Sequence, residues 1–533
     1  MADTEVDVFI VGAALSGLSA AMFLARRGVS VHVVERHPGT SIFPKAAGQN
    51  PRTMELMRIG GVADAIRSVD DIRGMEGEFT IKVAESVGGK VFATFAESFE
   101  DMVKATAPCT PMGWAMAAQD KVEPILLEQA ERYGATVRFH SELVGFEQDE
   151  DGVTARVRDV RDGTESTVRA AYMIAADGNR SPVRERLGIA RHGHGTLSHM
   201  VGVIFEADLT AVLPPGSTGW YYLKNPRFTG NFGPTDRPDR YTFFVEYDPE
   251  RGESAEELTP ARITELIRIA VNDPGLEPDL LDIQSLEMVA EIAERWRDGR
   301  ILLTGDAAKV VPPTGGMGGN AAVADGFDLA WKLAAVSLGE AGPGLLDSYE
   351  IERRQAADLV VAEAMHIYAS RMAPHLLDEV PPGQGMAEVL LGFRYRSGAV
   401  LAEDDDPAPA EDPLRPSGRP GFRAPHVWLT RDGEKVSTVE LFGDGFVLIA
   451  GPQGAPWPEA AKQAGAELGV RVDAYRPGQD LGDPEGDLAD RYGIGPSGAS
   501  LVRPDGIVAW RTRGTPDDPG AVLRDVLARV LSR

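Results

Sequence analysis

The chain begins with a strand, a glycine-rich turn, a helix and a second strand, and this unit constrains the fold more than any other segment. Val6-Asp7-Val8-Phe9-Ile10-Val11 reads as a buried strand, Leu15 to Arg27 as a helix and Val31-His32-Val33-Val34-Glu35 as the next strand. Between the first two lies Gly12-Ala13-Ala14-Leu15-Ser16-Gly17. Such a βαβ unit requires a parallel sheet, and it places turn amides and a helix N-terminus at the carboxyl edge, where the pyrophosphate of a dinucleotide binds. Glu35 stands where an acidic side chain accepts hydrogen bonds from ribose hydroxyls. Ala14 departs from the usual pattern, which has glycine where the backbone approaches the pyrophosphate. Its methyl group either pushes the phosphates back and weakens binding, or is spared by the angle of approach. A plain helix-packing turn without a ligand is the alternative.

At 533 residues the chain exceeds what one hydrophobic core serves, so several domains are expected. Lys+Arg 54 against Asp+Glu 81 gives a formal net charge of -27, which repels phosphate backbones and anionic membrane surfaces. No nucleic-acid partner and no membrane partner are expected, and the charge also serves simple solubility. The single Cys109 excludes an internal disulfide, a CxxC redox pair and a thiolate zinc site, which fits the cytoplasm. The acidic start Met1-Ala2-Asp3-Thr4-Glu5 lacks the basic and apolar regions of a secretion signal. Apolar runs such as Leu329 to Leu338 are interrupted by Lys332 and are too short to span a bilayer.

Helical periodicity recurs at Pro51 to Ile66 and Lys121 to Tyr133, followed by strand patterns at Thr136 to Phe139, Leu143 to Gln148 and Val153 to Val157. Tyr172 to Ala176 is a short apolar run ending at Asp177. A buried parallel strand there presents Asp177 at its carboxyl end. Residues from about 190 to 295 change to strands, among them His199 to Glu206, Gly219 to Leu223 and Tyr241 to Tyr247, with one helix at Pro260 to Val271. Ile301 to Thr304 returns the chain to the first domain, and long helices follow at Ala321 to Val336 and Leu345 to Met372. Glu403 to Pro420 is acidic and proline-rich, the composition of a linker. Strand and helix then alternate to a final helix whose Val522, Leu523, Val526, Leu527 and Val530 share one face.

Two further motifs carry chemistry. Asp177-Gly178-Asn179-Arg180-Ser181-Pro182-Val183-Arg184 follows the apolar run, and Gly305-Asp306-Ala307-Ala308-Lys309 leads to Pro313-Thr314-Gly315-Gly316-Met317-Gly318-Gly319-Asn320 and a helix. An Asp at a strand's carboxyl end can bind ribityl hydroxyls. The glycine-rich run can set backbone N–H groups and a positive helix end against a flavin ring, stabilising its reduced anion. Each motif alone is also an ordinary turn; the three in this order specify flavin.

With Gln119-Asp120-Lys121-Val122-Glu123, these segments resemble the para-hydroxybenzoate hydroxylase superfamily over residues 5 to 400. Ala46 to Glu55, Gly219-Trp220-Tyr221-Tyr222, Gly392 to Tyr395 and Leu501 to Arg511 resemble, more narrowly, the aromatic polyketide hydroxylases. The resemblance implies an α/β protein: a GR2-type, Rossmann-like FAD-binding domain, an interleaved β-sheet substrate domain and a C-terminal thioredoxin-like domain without redox cysteines. Residues 1–75, 105–190 and 295–400 are assigned to the first, 76–104 and 191–294 to the second, 401–420 to a linker and 421–533 to the third. It implies FAD as cofactor, with NADPH docking transiently and O2 consumed through a flavin C4a-hydroperoxide that hydroxylates a phenolic ring. No second glycine-rich unit offers a nicotinamide site, and Arg180 and Arg184 are candidates for its phosphates, with plain surface charges as the alternative reading. Carried over by position, the FAD set is Gly12, Ala14, Leu15, Ser16, Gly17, Glu35, Arg36, Lys45, Gln119, Asp177, Asp306, Pro313, Gly316, Met317, Gly318 and Asn320. Lys309 and Asp328 stand where many members have His and Asn.

Tyr222 and Arg371 are the candidates for holding the substrate, since a hydroxyl can bond a quinone or phenol oxygen and a guanidinium can stabilise a phenolate. A strand aromatic and a helix-terminal charge are the alternative readings. Trp114, Met116, Phe232, Phe244 and Met317 are candidate pocket walls, though such residues usually fill cores. His192, His194 and His199 match no metal-ligand spacing and read as a loop; no metal is expected. Glu350, Glu352, Arg353 and Arg354 read as solvated or helix-bridging pairs. The expected substrate is a small polycyclic aromatic, anthracyclinone ahead of angucyclinone, for a monomer or homodimer. Baeyer–Villiger oxygen insertion is the mechanistic alternative, and a ligand-binding protein that has lost FAD affinity is the alternative from another class.

Overall fold

A computed structural model describes residues 3–43, 45–70, 78–96, 99–213, 217–235 and 237–533. The expected boundary at residues 75 and 76, and Met1-Ala2, lie outside the described residues.

Val8, Phe9 and Ile10 in the Thr4–Val11 strand are buried, as befits a strand covered on both faces. It is flanked in parallel by Val31–Val34 and by Glu165–Ala175. Ile301–Leu303 continues the sheet beside Glu165–Ala175, and Thr136–Arg138 continues it beside Val31–Val34, both parallel. Antiparallel Arg297–Asp298, Val153–Asp159 and Ser141–Gln148 bring it to eight strands among the described residues. Three neighbouring strands thus deliver Gly12, Asp177 and Gly305 to one edge, although the motifs lie far apart in sequence.

A second eight-stranded sheet runs in the order Lys309–Val310, Asp279–Ala293, Arg191–Glu206, Arg240–Tyr247, Phe228–Pro234, Ser217–Asn225, Glu78–Ala84 and Val91–Ala96. One face buries Val203, Phe205, Phe232 and Phe243 against Ile263 and Leu266 of the Pro260–Ala270 helix. Phe232 therefore faces away from the first domain and is no pocket wall. The opposite face sets Met200, Phe244 and Leu286 against the core of the first domain. Tyr222, Asn231 and Phe244 are directly paired across adjacent strands, so they share that face. His192, His194 and His199 are not a loop but part of the Arg191–Glu206 strand. Register shifts opposite them, between Met288 and Val289 and between Ala290 and Glu291, absorb the glycine-rich sequence.

The last domain is a four-stranded sheet, Val472–Tyr475, Phe446–Ala450, Ala499–Val502 and Val508–Thr512, flanked by the Trp457–Leu468 and Pro519–Val530 helices. Residues 401–420 are a tied strap rather than a free linker. Arg394 bonds Asp404 at 2.8 Å, and Arg419 reaches Asp404 at 3.2 Å and Asp406 at 2.9 Å; the acidity that reads as a linker is counter-charge for buried Arg394 and half-buried Arg419. No described helix is long and apolar enough to cross a membrane.

Candidate active site

The three motifs meet through their backbones. Gly12 has φ +104, and a Cβ there would collide with the Ala176 carbonyl oxygen. A Cβ on Gly305 would likewise come within 2.5 Å of Ser16 Oγ. Ala14 is the N-cap of the Leu15–Arg26 helix at φ -93 and ψ -171, and its side chain makes no capping bond. Leu15, Ser16 and Gly17 form the first turn, whose N–H groups are among those a helix cannot satisfy itself. Glu35 accepts from Ala13 N at 3.0 Å and from His37 N at 2.9 Å, so it also fixes the turn. Arg36 is exposed beside it.

Asp177 is engaged at both oxygens, by Ser181 Oγ at 2.6 Å and by Val183 N at 3.0 Å. Burial raises its carboxyl pKa, against those hydrogen bonds. Arg184 is no surface charge: it donates to Asn179 O at 2.9 Å and Ala307 O at 3.2 Å, joining the second motif to the third. Arg180 is exposed. Asp306 is exposed, while desolvation by the surrounding protein raises its carboxyl pKa and Lys309 and Lys45 oppose that rise.

Past Asp306 the chain runs through exposed Pro313 and Gly316 to buried Met317. Met317 is the N-cap of the Gly318–Ser337 helix, again without a side-chain cap. The Asn320 side chain accepts from Asn50 N at 2.9 Å and donates to Gly48 O at 2.9 Å and Gly316 O at 3.0 Å. It thereby ties this helix start to the Ala46 to Asn50 segment. Lys45 is exposed, and its carbonyl accepts from Gln119 N at 2.9 Å. Gln119 in turn donates to Glu123 at 2.6 Å, and Glu123 accepts from Ser41 N at 2.8 Å. Burial raises the Glu123 carboxyl, opposed by the bonds from Ser41, Gln119 and Leu15. Sequence reasoning did not single out Glu123 as a site residue, although its spacing of four from Gln119 on a helix was the available signal.

Tyr222 and Arg371 are brought together. Arg371 donates to the Tyr222 hydroxyl at 3.2 Å, and its guanidinium lies 5.4 Å from the Tyr222 ring centroid and 5.1 Å from that of Phe95. Trp114 donates to Thr106 at 3.1 Å and packs beside Leu390 and Leu391. Met116 lies against Gly48.

Of the two readings for Glu352 and Arg353, the helix-bridging one holds, and both charges are buried. Arg503 of the last domain bonds Glu352 at 2.6 and 2.8 Å, Lys332 bonds Glu352 at 2.6 Å and Asp328 at 2.8 Å, and Arg353 bonds Asp325 at 2.7 Å. Among the described residues Asp328, Glu352 and Asp505 are the carboxylates grouped closely enough to hold a metal ion, but Lys332 and Arg503 already neutralise them.

Comparison with known proteins decides what this edge belongs to. Residues 5–364 match the FAD binding domain family, and residues 417–533 match the aromatic-ring hydroxylase C-terminal family. The chain belongs to the FAD-binding aromatic-ring hydroxylases. This hydroxylase is 63% identical over 537 residues to an aklavinone 12-hydroxylase of Streptomyces purpurascens, covering 100% of both chains. It is 41% identical over 558 residues to a tetracenomycin A2 monooxygenase-dioxygenase of Streptomyces glaucescens, covering 100% of this chain and 98% of the other. Among solved structures it matches a ternary complex of aklavinone-11 hydroxylase with FAD and aklavinone at a TM-score of 0.97 and 63% identity, over 100% of both chains. The expected polyketide hydroxylase resemblance is borne out, and with it an FAD-dependent monooxygenase. The hydroxylase fits that cofactor physically: two helix N-termini without side-chain caps, at Ala14 and Met317, lie close together, with Gly319 against Leu15, and exposed Asp306 follows the strand beside them.

Proposed function

We propose that this enzyme hydroxylates a phenolic ring of a tetracyclic aromatic polyketide of the anthracyclinone type, using NADPH and O2. The observation that carries it is the Arg371–Tyr222 pair, set on the sheet face turned toward the flavin domain, in a chain 63% identical to an aklavinone hydroxylase. In this reading FAD's pyrophosphate lies on the amides of Ala14, Leu15, Ser16 and Gly17, with Gly12 giving close approach and Glu35 and Arg36 beside the adenosine ribose. Asp306 meets ribityl hydroxyls, and Asp177 acts through the turn that it pins. Gln119 and Lys45 border the cofactor, while Pro313, Gly316, Met317, Gly318 and Asn320 hold the pyrimidine end near a positive helix terminus.

Bound FAD supplies the redox and oxygen-activating chemistry. The chain's own residues hold the phenol: Tyr222 hydrogen-bonds a ring oxygen, and Arg371 favours its ionised form, which makes the ring electron-rich. The sheet face above excludes water. The cytoplasm is the compartment that a single buried cysteine fits, and the reading assigns a monomer or homodimer, which sedimentation decides.

The test is NADPH oxidation by the yellow holoenzyme with a panel of tetracyclic phenols that includes aklavinone, followed by mass and NMR analysis of the product. One added hydroxyl on an intact ring system is expected. A ring-expanded lactone would replace hydroxylation with Baeyer–Villiger chemistry, and no turnover of any tetracyclic phenol would defeat the substrate class.

A further inference from the structure

A cavity of about 60 Å³ lies behind the glycine-rich loop. Its long wall is one face of the Gly318–Ser337 helix: Met317, Asn320, Ala321, Ala324 and Asp328 all line it. Eleven residues separate Met317 from Asp328, a rise of about 16 Å at the helical repeat, so the space is a narrow passage rather than a chamber. Holding one water takes roughly 10–15 Å³ by the same measure. The passage therefore suits a few diatomic or water-sized molecules and no polycyclic ring.

The two ends differ in chemistry. At the inner end stands Asp328, 3% exposed, whose Oδ1 makes no hydrogen bond and lies 3.8 Å from the Arg503 guanidinium. Arg353 and Asp505 line this end too, and Asp505 comes from a hairpin of the last domain. A buried carboxylate oxygen without a hydrogen bond calls for water. Between its ends the wall includes Leu56, Ala321, Ala324, Ala356, Val360 and Val389, which carry no side-chain donor or acceptor, and polar Asn50, Thr53 and Asn320 stand at the loop. A small apolar space of that kind stays dry and takes up apolar gases. The small side chains of Ala321, Ala324 and Ala356 keep it open between two packed helices.

We propose that this passage is a dioxygen site, which holds O2 along the Gly318–Ser337 helix behind the loop that binds the cofactor. The proposal rests on the reading that the Pro313 to Asn320 loop holds the flavin. No bond changes in the passage; it raises the local concentration of a co-substrate that this hydroxylase consumes. It also gives the last domain a part in the reaction, because Asp505 closes the inner end.

Xenon, a dense apolar gas, is the probe. Crystals of the wild-type holoenzyme pressurised with xenon should show a peak between Leu56, Ala324 and Val360. Ala324→Leu should abolish the peak. In rapid mixing, the second-order rate constant of its reduced holoenzyme with O2 should fall about tenfold, while reduction by NADPH keeps its wild-type rate. Ala356→Val, a smaller intrusion from the facing helix, should lower the oxygen rate by a lesser factor. Ordered waters filling the apolar stretch, with no xenon, would overturn the proposal in favour of a hydration site. So would wild-type oxygen rates in both filled variants. If the leucine variant does not fold, the wild-type xenon map and the valine variant decide. A protein that takes up no FAD would instead defeat the cofactor reading, and xenon in crystals of that protein would still report the passage.

Discussion

Arg371 donates to the Tyr222 hydroxyl at 3.2 Å across 149 residues of sequence, and the same guanidinium lies over the rings of Tyr222, at 5.4 Å, and Phe95, at 5.1 Å. The cation is thus held beside the second sheet by two aromatic rings and one hydrogen bond, a combination that lysine's ammonium matches poorly.

Replacing Arg371 by Met should lower kcat/KM for the aromatic substrate about 100-fold, the loss expected for one charge-assisted hydrogen bond. Tyr222→Phe removes a neutral partner and should cost about tenfold or less. The pH profile separates a role on the substrate from mere packing. Without the cation the phenol ionises less readily, so the rising limb of kcat/KM should move to higher pH in Arg371→Met. Steady-state assays of both variants across pH check this, and an unmoved profile with activity within twofold of wild type would reject the pair.

Ala14 raised the question of weakened FAD binding. Its backbone has a negative φ, which any L-residue adopts freely. The residue is exposed, so its methyl fills no protein space. Ala14→Gly should therefore relieve no backbone strain, and the Kd for FAD should change less than about threefold. Stability should fall by about 0.5–1 kcal/mol from added freedom of the unfolded chain. Fluorescence titration and thermal melts measure the two; a tenfold tighter Kd would show that the methyl does hold the phosphates back.

The motifs were legible because each is local: Gly12 to Gly17, Asp177 to Arg184 and Gly305 to Asn320 announce strand ends and helix starts from their own residues. Their convergence followed from parallel-sheet topology. The Glu352 and Arg353 charges were not legible as core residues, since their partners Lys332, Asp325 and Arg503 lie on other elements and Arg503 is 151 residues from Glu352. Helical spacing left solvated and helix-bridging pairs both open, and only the packed neighbours Lys332 and Asp325 on the Gly318–Ser337 helix select the bridging one. Asp177 was legible as important but not in its geometry. Ser181 and Val183 capture its two oxygens, and that competition between cap and ligand is settled only by backbone angles.

The last domain is joined to the flavin domain by a second buried pair, Glu55 with Arg423. Burial works against ionising Glu55, but Arg423 and Arg52, with hydrogen bonds from Arg423 and Thr110, outweigh it and hold the carboxyl at about 2 against an ordinary 4.5. A depressed acid stabilises the fold fully above its unfolded pKa and loses that contribution as pH falls through its folded one. The contribution, about 3 kcal/mol by the shift, is present above pH 4.5 and disappears toward pH 2. Glu55→Gln leaves Arg423 unneutralised and should destabilise by about 3–5 kcal/mol at pH 7. Its melting temperature should also fall less steeply between pH 4.5 and 2 than that of the wild type. Equal slopes over that window would show that Glu55 does not link the domains.

Asn320 offers the sharpest contrast between two small changes. Its oxygen accepts from Asn50 N, while its nitrogen donates to the carbonyls of Gly48 and Gly316. Asn320→Ala removes all three bonds and frees the loop, so the Kd for FAD should rise about tenfold, one hydrogen bond's worth or slightly more of lost preorganisation. Asn320→Asp keeps the size and the bond from Asn50 but turns an acceptor toward two carbonyl oxygens. Repulsion there must displace the segment from Gly48 to Asn50 or the loop at Gly316. The favourable placement of an anion in a helix's first turn, about 0.3–1 kcal/mol, is smaller than the cost of an unsatisfied buried acceptor, about 1–3 kcal/mol. The aspartate variant should therefore bind FAD more weakly than the alanine variant at pH 8, and recover toward it at pH 5 as the carboxyl takes up a proton and donates again. Fluorescence titration at the two pH values measures this, and an aspartate variant that binds as tightly as wild type would show that the Asn320 bonds do not position the loop.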